Sequence, residues 1–308
     1  MRAAGIGPAR TTIRAWALAL YRARGPIFYV SAALLVANVV VLQFSLPRPA
    51  KTAWAAAVVL AMVALLASFA LSAVIPRRLP EALLAPSRTV HAPLEGRWLG
   101  LNSPTSQVPS HGTRAYGQAY AIDLVHEPIG LGPDPAGAAQ PAVGGGAMPA
   151  ATEYPAFGEP VLAMIDGTVV RASGWQRDHR ARAGLAGFAY LAAEGFVRQL
   201  GGAGFVVGNH VTIRGDDGCY AAVGHLKRGS VAVSVGDRVT AGTRIGACGN
   251  SGNSSEPHVH AQLMDRVSFW TAQGIPMAFS GITIDDEPTA VDGLPGNGQY
   301  MVASSAHR

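Results

Sequence analysis

Two stretches of this 308-residue chain, residues 27–46 and 52–76, carry no charged side chain. Each exceeds the ~18 apolar residues a helix needs to cross the hydrocarbon core of a bilayer. They also explain why charged residues make up only 14% of the chain, when ~25% is usual in soluble proteins. The pattern excludes a freely soluble chain, and the 49% hydrophobic content excludes intrinsic disorder. A secretory signal would offer one apolar region. Here a second, longer run starts six residues after the first ends, so 26–76 reads as a two-helix transmembrane hairpin. Asn38 and Gln43, the strongly polar side chains of the first run, are candidates for pairing the helices.

The net charge of +5 is concentrated at the start of the chain, where Arg2, Arg10, Arg14, Arg22 and Arg24 occur without an acid in a basic tail, residues 1–25. A basic tail before a span sets orientation or touches lipid headgroups. No basic face is clustered elsewhere, so membrane lipid is an expected partner and nucleic acid is not. Cys219 and Cys248 read as two buried thiols in preference to a disulfide.

After the hairpin, residues 77–91 are a Pro-punctuated linker, 92–285 a domain and 286–308 a C-terminal tail. Within the domain, residues 131–150 are rich in Pro, Gly and Ala and predict a flexible surface loop. Arg180–Leu200 is the one good helix candidate, with Leu185, Phe188, Leu191 and Phe196 near a helical stripe. From Val161 onward, runs of Val, Ile and alternating polar residues are broken by Asp-Gly, Gly-Asp and Gly-Asn turns. Strands so spaced predict a mainly β domain, an antiparallel sandwich or barrel.

The histidines carry the chemistry. His258 and His260 sit two apart in PHVHAQL, so on a strand both face one side. His225 ends another strand in YAAVGHL, and His111 and Asp123 lie in PSHGTRAYGQAYAIDLV. Imidazole and carboxylate are usual zinc ligands, and three protein ligands plus water is the pattern of a hydrolytic site.

The run GDRVTAGTRIGACGNSGNSSEPHVHAQLMD, with VGHL and YAIDLV upstream, resembles the lysostaphin-type (LytM-like) zinc endopeptidases of bacterial cell walls. The similarity covers roughly residues 92 to 285. It implies a β-rich fold with a duplicated hybrid motif and one zinc ion, used to cleave peptide bonds in peptidoglycan stems or cross-bridges. By the same resemblance, Asp123 and His260 match zinc ligands, and His225 and His258 match the two histidines that handle the water proton and stabilise the tetrahedral intermediate. The family's first histidine falls four residues before the aspartate, where this chain has Ala119. His111 is the candidate for the displaced ligand if GTRAYGQ loops out, with His126 as the fallback. His210, with Asn209, is a candidate for lining the groove or for a satisfied strand position. His91, His126, His179 and His307 are read as surface residues.

Two other readings compete. An inactive relative that binds cell wall or regulates another hydrolase is motivated by Ala119 and opposed by the retained His225 and His258. A biotinyl or lipoyl carrier is suggested by GDRVTAGTRIG, but it needs a lysine at a hairpin tip, and Lys51 and Lys227 are not so placed. The substrate class puts the domain outside the cytoplasm of a multi-pass bacterial membrane protein. The arginine-rich flanks of the hairpin favour the opposite side. The insertions at 131–150 and 176–203 would flank the groove as lids or specificity elements.

Overall fold

The computed structural model describes residues 8–74, 87–126, 148–182 and 184–304. The chain divides into two compact units, Met1–Leu83 and Leu84–Arg308. The first consists of α1 (Pro8–Val41) and α2 (Arg48–Val74). The helix already runs from Pro8, so the arginines from Arg10 onward belong to α1 and do not form a separate tail. Arg22–Val41 and Arg48–Ser68, 20 and 21 residues, are long and apolar enough to cross a membrane. Leu60, Val63 and Leu66 expose apolar surface that a core helix would bury. Asn38 does join the helices: Trp54 Nε1 donates to its Oδ1 at 2.8 Å. Gln43, two residues past the end of α1, donates instead to Val39 O in its last turn.

The second unit is mainly β. Its strands are β1 (Arg88–Val90), β2 (Gly96–Leu101), β3 (Ile122–His126), β4 (Pro160–Leu162), β5 (Gly167–Ser173), β6 (Asn209–Arg214) and β7 (Tyr220–Leu226). They continue with β8 (Arg238–Val239), β9 (Arg244–Ala247), β10 (Val259–Met264), β11 (Gly274–Ile275), β12 (Met277–Ile284), β13 (Val291–Gly293) and β14 (Tyr300–Ala303). Two helices, α3 (Gly184–Gly201) and α4 (Ala203–Val207), interrupt the chain between β5 and β6. One sheet runs β1-β12-β14-β2-β3-β10-β7-β6-β5-β8, with β11 on β10 and β13 on β12, and β4-β9 forms a second.

The mainly β expectation holds, with differences of detail. The pairing path is open among the described residues and does not close into a barrel, and β1 pairs β12 in parallel. Arg88–Val90, expected as linker, and Tyr300–Ala303, expected as tail, are both strands: β14 fills the place between β12 and β2. Their short alternating runs carry Val90, Met301 and Ala303 into the core, which a solvated tail would not do. The helix candidate at 180–200 begins four residues later, at Gly184. The Pro/Gly/Ala-rich loop lies outside the described residues up to 147.

The core fixes which way the chemistry points. Ile122 and Leu124 of β3, and Val259, Ala261 and Leu263 of β10, are fully buried in it. The alternating positions, Asp123 of β3 and His260 and Gln262 of β10, therefore face the other side of the sheet. Burying each such Leu or Ile is worth roughly 2 kcal/mol, so a one-residue slip in register is strongly disfavoured.

The Gly-rich turn at 249–253 lies against the end of α4. Gly208 and Gly252 both have positive φ, +74° and +76°, and a Cβ on Gly252 would come 2.5 Å from Gly208 N. No other residue type fits there without moving backbone. Gly252→Ala is expected to cost about 2 kcal/mol or more, measured by urea denaturation of the full chain. Gly236→Ala, with open space around its Cβ position, should cost less.

Candidate metal centre and active site

Three adjacent strands, β3, β10 and β7, build the site. His260 pairs in register with Asp123 on one side and Gly224 on the other, which brings the carboxylate and the imidazole together on the same face. His111 Nε2 lies 3.0 Å from Asp123 Oδ2, and His260 Nδ1 2.8 Å from Asp123 Oδ1. One ligand atom from each of His111, Asp123 and His260 lies within 4.8 Å of the others.

His111 reaches this position because residues 110–119 form a closed loop. Ser110 N donates to Ala119 O at 3.0 Å, and Tyr116 and Gly117 take positive φ inside the loop. Ala119 itself is buried. His126, the fallback, stacks on Trp98 at 4.6 Å and stands outside the cluster.

Hydrogen bonds behind the ligand candidates fix their tautomers. The Ser110 hydroxyl donates to Gln118 O at 3.0 Å, so it accepts from His111 Nδ1, 2.9 Å away. That leaves the Nε2 lone pair aimed at Asp123. Gln262 Nε2 donates to Tyr116 O at 2.9 Å, which turns its Oε1 toward His260 Nε2 at 2.8 Å. The Nδ1 lone pair of His260 then also faces Asp123. Asn102 Nδ2 donates to Asp123 Oδ2 at 2.7 Å. Lone pairs thus confront a carboxylate at hydrogen-bond distance on two sides. A cation between them relieves the repulsion, and one divalent ion serves all three groups at once.

The electrostatics agree. Without a cation the rings themselves must supply the positive charge: burial would raise the Asp123 carboxyl, but the charges that His111 and His258 carry when protonated, and the hydrogen bonds that protonated His111 and His260 then donate, hold it well below the usual range. Burial disfavours the His260 imidazolium, yet its bonds to Asp123 and Gln262 and the Asp123 charge raise it above its ordinary value. The site calls for positive charge.

His225 and His258 flank this cluster with ring centroids 4.7 Å apart. His225 Nδ1 donates to Ser251 O at 2.8 Å, and His258 Nδ1 to Glu256 O at 2.7 Å. Since a carbonyl only accepts, both rings carry their proton on Nδ1 and are left with Nε2 free. His258 Nε2 is 3.5 Å from Asp123 Oδ1. Strand alternation would bury His225 beside Ala221 and Val223; its positive φ of 57° turns it instead toward the site. Asn102, Tyr116 and His225 are three of the four described non-glycine residues with positive φ, and all three hold or form this site. Strain concentrated this way is a mark of function. Burial, then the charges of His258 and His260, keep His225 well below its ordinary value, so it is neutral.

These groups line a cleft of about 370 Å³ together with Leu191 of α3, Val206 and Val207 of α4, and the polar Asn102, Gln118, Asn253 and Ser255. The helical insertion expected beside the groove does border it. Asn209 and His210 do not line it: Asn209 bonds Gln176 and Leu226 backbone, and His210 packs edge-on against Phe269 at 5.3 Å. His91 bonds Ala92 O, His179 is buried and bonds Gly252 O, and His307 lies outside the described residues. Cys219 and Cys248 are buried free thiols, and burial pushes Cys219 up to about 12. Sequence reasoning missed Asn102, Ser110 and Gln262. Only Gln262 leaves a signal, continuing the two-residue period of His258 and His260.

Residues 188–271 match the sequence profile of Peptidase family M23, and this agrees with the lysostaphin-type resemblance. Among solved structures, the catalytic domain of the antimicrobial peptidase lysostaphin from Staphylococcus simulans is 21% identical over 58% of this chain and 88% of its own, with a TM-score of 0.30. The catalytic domain of the prophage-encoded M23 protein EnpA from Enterococcus faecalis, in a mutant form, is 25% identical over 39% of this chain and 68% of its own, at 0.25. A zinc-containing peptidase from Vibrio cholerae is 15% identical over 62% of this chain and 38% of its own, at 0.26.

Purified protein is expected to hold close to one zinc per chain by atomic emission. His111→Ala and Asp123→Ala should abolish it. Gln262→Leu, which frees the His260 tautomer, should weaken zinc about 10- to 100-fold in chelator competition.

Proposed function

We propose that this chain is a membrane-anchored zinc endopeptidase that cleaves peptide bonds of peptidoglycan stems or cross-bridges. The observation that carries the proposal is the convergence of His111 Nε2, Asp123 and His260 Nδ1, each held lone pair inward, with two further imidazoles presenting Nε2 to the same cleft. His111, Asp123 and His260 would hold one zinc ion, which when bound brings the pKa of water toward about 7 and polarises a carbonyl.

The remaining steps belong to the protein. The cleft seats an extended peptide between the α3–α4 wall and the Asn102–Gln118 side. The neutral His225, its Nδ1 tied to Ser251 O, accepts the proton of the attacking water on Nε2 and returns it to the leaving amine. His258, held by Glu256 O, offers the second Nε2 at the carbonyl oxygen, where in its protonated form it donates to the developing oxyanion. An inactive relative was suggested by Ala119 alone, and His111 standing beside Asp123 supports the active reading over it.

The peptidoglycan class rests on the lysostaphin-type resemblance and the M23 match, and the anchor on the lengths and outward apolar surfaces of α1 and α2. The substrate puts the β unit outside the cytoplasm, so a C-terminal reporter active only outside should be active.

His225→Ala should retain zinc while lowering kcat/KM on peptidoglycan peptides by about 10²–10⁴. Since burial depresses the His225 pKa below 6.5, the base stays unprotonated as pH falls through 6.5. The acid limb of kcat/KM should therefore lie below 6.5 and vanish in the variant. Absence of any peptide release from purified sacculi by the zinc-loaded chain would sink the proposal.

A further inference from the structure

Helix α3 is inside out. Its charged residues, Glu194 and Arg198, face the protein: Glu194 bonds buried Arg182 at 2.5 Å and Arg198 at 2.7 Å. Its inner face is completed by Gly187, packed on the Arg182 backbone, and Gly195, packed on Asn253. The outer face is wholly apolar: Ala186, Ala189, Tyr190, Ala193, Val197 and Leu200 fall on one stripe and are exposed, Val197 by 63% and Leu200 by 51%. Phe205 packs beside Gly201 at the end of α3, and its ring meets exposed Trp175 at 5.6 Å. A surface helix in water presents the reverse pattern.

We propose that this face, Tyr190, Val197 and Leu200 with Trp175 and Phe205, rests on the lipid surface of the bilayer in which α1 and α2 are anchored. The inference depends on the anchoring part of the proposed function. Four features select lipid over another cover. α2 ends at Val74 and β1 begins at Arg88, so the connecting residues 75–87 can span at most about 45 Å. The β unit is thereby tethered to the bilayer that holds α2. Trp and Tyr suit the membrane interface. The helix brings no unpaired charge to be desolvated, because Glu194 is already neutralised from within. Arg177 and Arg180, in the segment that carries Trp175, are exposed, while Asp178 is turned inward to the backbone of Arg228 and Asn250. The rim is thus basic and complements anionic headgroups. The cleft opens beside this helix at Leu191, so docking would hold it at the membrane-proximal layer of the substrate.

The test uses the full chain in vesicles of phosphatidylethanolamine and phosphatidylglycerol, with a nitroxide at Val197→Cys, Leu200→Cys, Leu60→Cys in α2, or exposed Val235→Cys. Native Cys219 and Cys248 are buried and resist labelling. Positions 197 and 200 are expected to collide more with oxygen than with an aqueous nickel chelate, as Leu60→Cys does and Val235→Cys does not. Their oxygen preference should fall when phosphatidylcholine replaces phosphatidylglycerol; an unchanged preference overturns the arginine contribution. Aqueous behaviour at 197 and 200 with lipid behaviour at 60 overturns the docking and leaves the anchor standing. Aqueous behaviour at all positions overturns the anchor and the docking with it. Shielding of 197 and 200 from both reagents, with spin–spin broadening, assigns the face to a second copy and overturns lipid as its cover.

Discussion

Everything in the β unit is arranged around one unfavourable contact: a buried carboxylate faced by nitrogen lone pairs. Asp123 is flanked by His111 and His260 at hydrogen-bond distance, and neither imidazole can turn a proton toward it in its neutral form without breaking a bond behind it. Such an arrangement is costly by itself and becomes favourable when a cation occupies the centre. The sheet makes it possible. The paired rows of β3, β10 and β7 fix the separation, and the apolar residues on their opposite face prevent the strands from slipping to relieve it.

The imidazoles divide into two classes by the partner behind each ring. Those facing the carboxylate are held by side chains, Ser110 and Gln262. Those facing the cleft are held by main-chain carbonyls, Ser251 O in the Gly-rich turn and Glu256 O beyond it. Side-chain partners can be exchanged by mutation without disturbing the fold. Carbonyl partners cannot, so the orientation of His225 and His258 is built into the path of the backbone.

Much of this was legible in the sequence because it rests on periodicity. The alternation in PHVHAQL gave the shared face of His258 and His260, and the two charge-free runs gave α1 and α2. What stayed hidden depended on departures from periodicity. The left-handed backbone at His225 reverses the face that alternation assigns, and a loop of ten residues brings His111 beside Asp123 in place of Ala119. Asn102 lies on no motif, and its role follows only from the pairing of β2 with β3. Strands β1 and β14 were hidden because three or four residues are too few to show a pattern, and they are recruited by edges that the rest of the sheet leaves open.

The contact between Gly208 and Gly252 has a mechanical meaning. Two backbones touch there without side chains between them, and Asn253 N bonds Val206 O at 2.8 Å alongside. The residue next to Gly252, Ser251, supplies the carbonyl that orients His225. The helical insertion and the imidazole therefore behave as a lever and its load joined by a rigid pin. A force that tilts α3 and α4 is delivered to the base within one residue, with no compliant side chain to absorb it.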